Sequence, residues 1–284
     1  MTHPVTGIDH VLIMGEDLDA AEAQYRRLGF TLSSRGMHPP AKGTANHTIM
    51  LQHDYVELLG ILQQTDLNRP RFEAVKRDGP GLHAVCCRIE DAEAAALTLS
   101  DLGISTEVPN SFERAVPLAD GTTGRAAFST LNFRKLDVPV GLLFMCQHKT
   151  PETVWLPDLM RHANTATGIS ALKAVCAAPS AEAGRFARFW KDASVTHFSG
   201  GASVTTGTQS ARLDLMERTT LEQRYPADWI NATARGGYAV LQISVLSMGQ
   251  VLECLERAGI NSRATAEGHA VAPELAGGVI LEFV

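Results

Sequence analysis

Long apolar runs are missing from this chain, and no basic stripe is present. No apolar stretch approaches the ~18 residues a membrane-spanning helix needs, so no membrane span is expected. The opening residues MTHPVTG lack a basic flank followed by an apolar core, so no secretory leader is expected. The 25 Lys and Arg are outnumbered by 31 Asp and Glu, for a net charge of -6. That balance excludes the clustered cationic surface that nucleic acid demands, so no nucleic-acid partner is expected. Cysteines are few: Cys86, Cys87, Cys146, Cys176 and Cys254. Their number is odd, none forms a CxxC pair, and adjacent Cys86 and Cys87 point to opposite faces of a strand. They read as reduced thiols of a cytoplasmic protein, not as a disulfide framework.

What is present is the composition of a globular protein, 45% hydrophobic and 20% charged, in 284 residues, long enough for two domains. A unit recurs along it. From Gly7 the strand-like run IDHVLIM leads into a helix signal with Asp17 as a cap and Gly29 as a left-handed stop. LHAVCCRI from Gly81 leads to a helix ending at Gly103, and YAVLQISV from Gly237 to one ending at Gly259. The three glycine pairs are each 22 positions apart. A fourth copy begins at Gly168 with ISALKAVCAA and lacks the closing glycine. Two or three shorter strand-like runs follow each helix, so the unit is strand, helix, then strands. One such unit cannot bury both faces of its sheet, and pairing two makes a curved sheet with helices outside and a hollow within. The fold class is therefore α+β: four βαβββ modules in two paired-module, barrel-like domains. Residues 1–150 form the first pair, 151–167 a proline-containing linker, and 168–284 the second pair.

Two residues stand out. His10 lies alone in the middle of TGIDHVLIM, and Glu57 is the single acid of YVELLGIL. Burying a carboxylate among Val56, Leu58 and Leu59 is costly without a partner. Side by side on neighbouring strands, the two would hold a metal.

The stretches GIDHVLIMGEDLDAAEAQYRRLGF, YVELLGIL and GLHAVCCRIEDAEAAALTLSDLGI resemble the vicinal oxygen chelate superfamily of glyoxalases, bleomycin-resistance proteins and extradiol dioxygenases. PAKGTANHTIML, YVELLG and FMCQHKTPE resemble a glyoxalase-like domain family within it. The resemblance implies a metal on the floor of the first cup, with ligands from the first and last strand of each module. Carried over, these are His10, Glu57, His83 and, by aligning VELLG with MCQHK, Gln147; His47 and His148 stand in reserve. One departure matters. His10 lies 19 positions before Gly29 but His83 lies 20 before Gly103. Side chains alternate along a strand, so an uncorrected shift of one turns His83 to the wrong face. In the second pair Ala171 and Ala239 replace the histidines, with Asp214 and Glu282 at the last-strand positions, which implies a structural role.

Asn46 and His47 precede a strand bordering the floor and are expected to contact substrate. Arg125 follows a Pro-, Asn- and Gly-rich loop, Val108 to Gly124, and could pair with a substrate carboxylate. A bound divalent ion (Zn, Ni, Mn or Fe) would polarise a carbonyl, and Glu57 would move the proton made acidic beside it. The implied function is a glyoxalase-like metal-dependent lyase or isomerase acting on a small oxygenated metabolite. The alternatives are an Fe(II) extradiol-type dioxygenase using His10, His83 and Glu57, and a non-catalytic small-molecule-binding or resistance protein. Modules can pair within or between chains, which leaves a homodimer open.

Overall fold

The computed structural model describes residues 2–118 and 121–284. Four modules follow one another. The first is β1 (Ile8–Gly15), α1 (Leu18–Arg27), β2 (Gly36–Met37), β3 (Thr44–Met50) and β4 (Tyr55–Ile61). After a connecting helix, α2 (Arg69–Asp78), the second comprises β5 (Gly81–Arg88), α3 (Ala92–Asp101), β6 (Asn110–Pro117), β7 (Thr123–Asn132) and β8 (Leu142–His148). The third runs through β9 (Ala166–Val175), α4 (Pro179–Ala187), β10 (Val195–Phe198), β11 (Gly201–Val204) and β12 (Arg212–Met216). Two short helices, α5 (Arg218–Glu222) and α6 (Ala227–Ala232), precede the fourth: β13 (Val240–Val245), α7 (Met248–Arg257), β14 (Arg263–Ala264), β15 (His269–Val271) and β16 (Ile280–Phe283). The expected linker holds two single 3-10 turns, Pro151–Thr153 and Pro157–Met160, and β9 starts two residues earlier than expected.

Local chemistry starts and stops the helices as the repeat implied. Asp17 accepts from the Ala20 amide and Asp91 from the Ala94 amide, satisfying orphan donors of α1 and α3. Gly29 (φ 89°) and Gly103 (φ 72°) follow those helices in the left-handed region that other residues resist. The long expected loop is instead mostly a hairpin, because β6 pairs with β7 from Asn110↔Thr130 to Pro117↔Thr123. Ala119 and Asp120, at its tip, lie outside the described residues. Helix α2 has no counterpart in the repeat and was not anticipated.

The modules pair as expected. One sheet has the order β2-β3-β4-β1-β5-β8-β7-β6, and the other repeats it as β10-β11-β12-β9-β13-β16-β15-β14. In the first sheet β1 and β5 run antiparallel at the centre, each flanked by a parallel partner. The edge strands β2 and β6 approach each other, so this sheet nearly closes. Alternation divides its residues between two compartments. Val11, Ile13, Val85, Cys87, Leu143 and Met145 join Tyr25, Leu28 and Leu99 of the helices in one core, which continues into Leu172, Leu241 and Phe283 of the second sheet. Leu12, Met14, Ala84, Cys86, Phe144 and Cys146 face the concave side.

The halves also meet through a buried carboxyl. Both oxygens of Asp54 accept from the Ile169 amide, at 3.1 and 3.2 Å. Burial raises the Asp54 pKa to about 7, the amide only partly offsetting it. Since the folded value exceeds the unfolded one, the group favours folding most below pH ~4 and loses that contribution as pH climbs through about 7. Asp54→Asn keeps an acceptor without a charge to bury. It should stabilise the protein by about 1–3 kcal/mol at pH 8 and have little effect at pH 4, a contrast readable by urea unfolding. Equal midpoints for both proteins at pH 8 would contradict this account.

Candidate functional site

The first cup encloses a cavity of about 500 Å³, whose walls come from β1, β3, β4, β6, β7, β8 and α2. At its floor sits Glu57, 7% exposed. Asn46 Nδ2 donates to Glu57 Oε1 at 2.7 Å, and His10 Nε2 lies 3.6 Å from Oε2. His38 Nε2 stands 4.0 Å from Oε1, and its Nδ1 is 2.8 Å from Thr44 Oγ1. Burial works against the charge of Glu57, yet His10, His38 and the Asn46 hydrogen bond hold its pKa below the usual carboxylate value. Burial pushes His38 down to about 4, so its imidazole is neutral at physiological pH. The His10 ring stacks on Tyr55 with centroids 4.2 Å apart.

A second layer fixes His10 from behind. Asp9 Oδ1 is 2.7 Å from His10 Nδ1 and 3.0 Å from His148 Nε2. Burial opposes ionisation of Asp9, but the two imidazoles hold its carboxyl far below the usual range. Burial would likewise discharge His148, yet Asp9 raises it to about 10. The Cys146 thiol, beside His148 and Cys86, is drawn below an ordinary thiol by both, Cys86 more strongly.

Of the residues expected at the site, His10, Glu57 and Asn46 come together. His83, Gln147, His47 and Arg125 do not. His83 Nε2 lies 2.7 Å from the Gly79 carbonyl at the end of α2, away from Glu57 and outside the cavity lining. The register explains this. Pairing of β1 with β5 jumps between Ile8 and His10 on one strand and between Ala84 and Leu82 on the other, so Asp9 and His83 are the extra residues of two matching bulges. The counterpart of His10 is therefore Ala84, and His83 corresponds to Asp9. Likewise Glu57 is aligned with Leu12 and Phe144 with Cys86, which makes Phe144 the counterpart of Glu57. Gln147 faces the helices, where its Oε1 accepts from the Ala92 amide at the start of α3. His47 turns toward α1, with Nε2 3.1 Å from Glu22 Oε2. Arg125 is exposed and pairs with Glu113 at 2.9 Å.

Three lining residues were not anticipated, His38, Lys42 and Arg71, and Arg114, expected only as part of a loop over the mouth, lines the cavity in place of Arg125. Arg114 belongs to the hairpin that reads as a loop in sequence, and Arg71 to the unanticipated α2. A Cβ on Gly36 would sit 2.5 Å from Asn46 Oδ1 and 2.7 Å from Arg114 Nη1, so both groups crowd against a backbone that has room only for glycine.

The sequence of residues 8–190, more than half the chain, matches the glyoxalase-like domain family. This protein belongs to that family. The fold of the glyoxalase-like protein is similar to that of a hypothetical protein from Staphylococcus aureus, at 13% identity and TM-score 0.69, covering 98% of each chain. It is also similar to a mutant 4-hydroxymandelate synthase from Streptomyces coelicolor, at 14% identity and TM-score 0.56, over 91% of this chain and 76% of that one. No curated protein matches it in sequence. The glyoxalase-like domain places the chain in the vicinal oxygen chelate superfamily, whose members include metal-dependent isomerases and dioxygenases.

The donor set of the glyoxalase-like cup suits a divalent ion, although not in the two-module pattern. The second module offers only Ala84 and Phe144 at the corresponding positions. The first module offers His10 and Glu57, with His38 on the other carboxylate oxygen. His10 has its second ring nitrogen held by a carboxylate, as metal-bound imidazoles usually do. Asp9, His10 and His148 also gather three donor atoms within 4.8 Å of one another. There, however, Asp9 Oδ1 already serves both rings, and an ion would have to displace both contacts.

The Asp9–His148 pair has its own pH signature. The folded His148 value lies above its unfolded ~6.5, so the pair's contribution is complete below pH 6.5 and fades as pH rises toward about 10. His148→Gln should cost about 3 kcal/mol at pH 6, and the gap should narrow at pH 9 to 10 in denaturant titrations. A gap independent of pH would show that the pair is not ionised.

Proposed function

We propose that this protein is a metal-dependent lyase or isomerase that moves a proton on a small oxygenated metabolite. The observation that carries this reading is the Glu57 carboxylate, buried at the floor of the cavity yet held below the usual carboxylate value, with Asn46 Nδ2 donating to Oε1 and His10 Nε2 3.6 Å from Oε2. A carboxylate held charged without solvent can take a proton from a carbon beside a carbonyl. The proton resides on Glu57 and returns to a neighbouring carbon or oxygen, which completes an isomerisation; loss of a leaving group before its return completes an elimination. Asn46 fixes Oε1 and leaves Oε2 toward His10, so the carboxylate has one preferred orientation. The apolar walls, including Leu12, Leu59, Phe128 and Phe144, exclude water from the reacting carbon.

His10 and Glu57, with His38, would hold the ion, which when bound supplies Lewis-acid polarisation of the substrate oxygen. The same composition of two imidazoles and one carboxylate also suits non-haem iron. It favours an oxygen-consuming dioxygenase as the second reading.

The test is proton exchange. Incubation with a panel of small 2-oxo and 2-hydroxy acids and esters in deuterated water, followed by NMR, should reveal deuterium at the carbon beside the carbonyl for at least one compound. Glu57→Gln should slow that exchange by at least about 100-fold. Chelator treatment should abolish it, and elemental analysis of the purified protein identifies the metal. Exchange at an undiminished rate in Glu57→Gln would sink the assignment. Oxygen uptake in place of exchange would favour the dioxygenase.

A further inference from the structure

Glu57 has its partners within the protein. The cations around it do not. Arg71, Arg114 and Lys42 line the same cavity, and each feels the Glu57 charge. Among the described residues, neither guanidinium makes a hydrogen bond or ion pair with another side chain. The Arg71 guanidinium lies over the Phe144 ring at 5.3 Å and the Lys42 ammonium over the Phe112 ring. Several other arginines in this half are matched, among them Arg69 by Asp66, Arg77 by Asp78 and Arg125 by Glu113. Burial lowers the pKa of Arg71, Arg114 and Lys42, the last to about 8, with Arg71 repulsion as a further cause. Four cations (Lys42, Arg71, Arg114 and Lys135) against three carboxylates (Glu57, Asp66 and Glu107, of which Asp66 pairs with Arg69) leave the cavity lining net positive, whereas the whole chain carries -6.

Desolvated guanidiniums without acceptors are expensive. They are tolerated where a ligand supplies the anion, and Arg is the residue suited to carboxylate and phosphate oxygens. The three arise from separate elements: α2, β6 and the 3-10 turn Pro40–Lys42. Their convergence is thus a property of the closed cup. Phe112, Phe128 and Phe144 supply apolar wall between them.

We infer that the cavity binds an organic anion, a carboxylate or phosphate ester with an apolar body, whose charged group is held by Arg71 and Arg114 with Lys42 in support. This deepens the proposed function by giving its substrate class. It rests on reading the cavity as the substrate site, but not on Glu57 being the base.

Calorimetric titration with benzoate, phenyl phosphate and the neutral benzamide tests it on the unmodified protein. At least one of the two anions should bind, and at least about tenfold more tightly than benzamide, since a hydrogen bond to a charged group contributes about 1.5–3 kcal/mol. Preference for benzoate assigns a carboxylate, and preference for phenyl phosphate a phosphate ester. Arg71→Gln and Arg114→Gln, shown folded by circular dichroism, should each weaken anion binding about tenfold. Added salt should weaken it as well. Glu57→Gln, which removes the negative charge from the floor, should keep or tighten it. Absence of proton exchange in the unmodified protein, or undiminished exchange in Glu57→Gln, with anion binding intact would therefore overturn the reaction and spare this inference. Equal binding of benzamide, no binding of either anion, or unchanged affinity in both folded arginine variants overturns the inference itself.

Discussion

A buried carboxylate has to be answered by its surroundings, and Glu57 sets the terms for the first cup. Its position on β4 faces the hollow, where it is 7% exposed. Asn46, one strand away on β3, supplies a donor at 2.7 Å, and His10 on β1 supplies an imidazole. Asp9 can reach behind His10 only because β1 bulges there. A regular strand would send the residue before His10 into the helix-side core. The bulge thus does two things at once: it fixes the His10 ring through Asp9 and changes the register against β5. The second consequence leaves the second module without ligands, since its own bulge puts Ala84 at the position of His10 and ties His83 to the Gly79 carbonyl.

The two cups resolve the same electrostatic problem differently. In the second sheet Asp214 stands at the place of Glu57 and Glu282 at that of Phe144, and Glu282 meets Lys173 at 3.3 Å, the Tyr225 hydroxyl at 2.5 Å and Gln242 at 2.7 Å. Glu267 and Arg212 extend that network, and Asp214 pairs with Arg212 at 3.1 Å. In that network Lys173, Arg212, Glu267 and Glu282 answer one another. In the first sheet the carboxylate is answered but the cations are not. Chemistry needs an excess of unsatisfied, preorganised groups. That imbalance, more than the presence of any single residue, is what distinguishes the first cup from the second and supports the proposal that places the site there.

Much of this was legible in the chain. The glycine spacing and the cap residues Asp17 and Asp91 defined the modules, because helix ends are chemically local events. The isolated polar residues His10 and Glu57 marked the floor, because a charge in an apolar strand demands an explanation. The alternating pattern even exposed the weakness of His83, whose offset from Gly103 is one residue longer than that of His10 from Gly29. What stayed hidden was long-range. His38 and Lys42 lie in a stretch without periodicity, Arg114 in a segment that reads as loop, and Arg71 in a helix outside the repeat.

The sequence by itself determined the architecture, the number of modules and one half of the candidate centre, since periodicity, capping and the cost of burying charge act over a few residues. Tertiary structure alone decided which side chains share the hollow. A bulge changes facing without changing composition, and closure of β2 onto β6 gathers cations from segments that are remote in the chain.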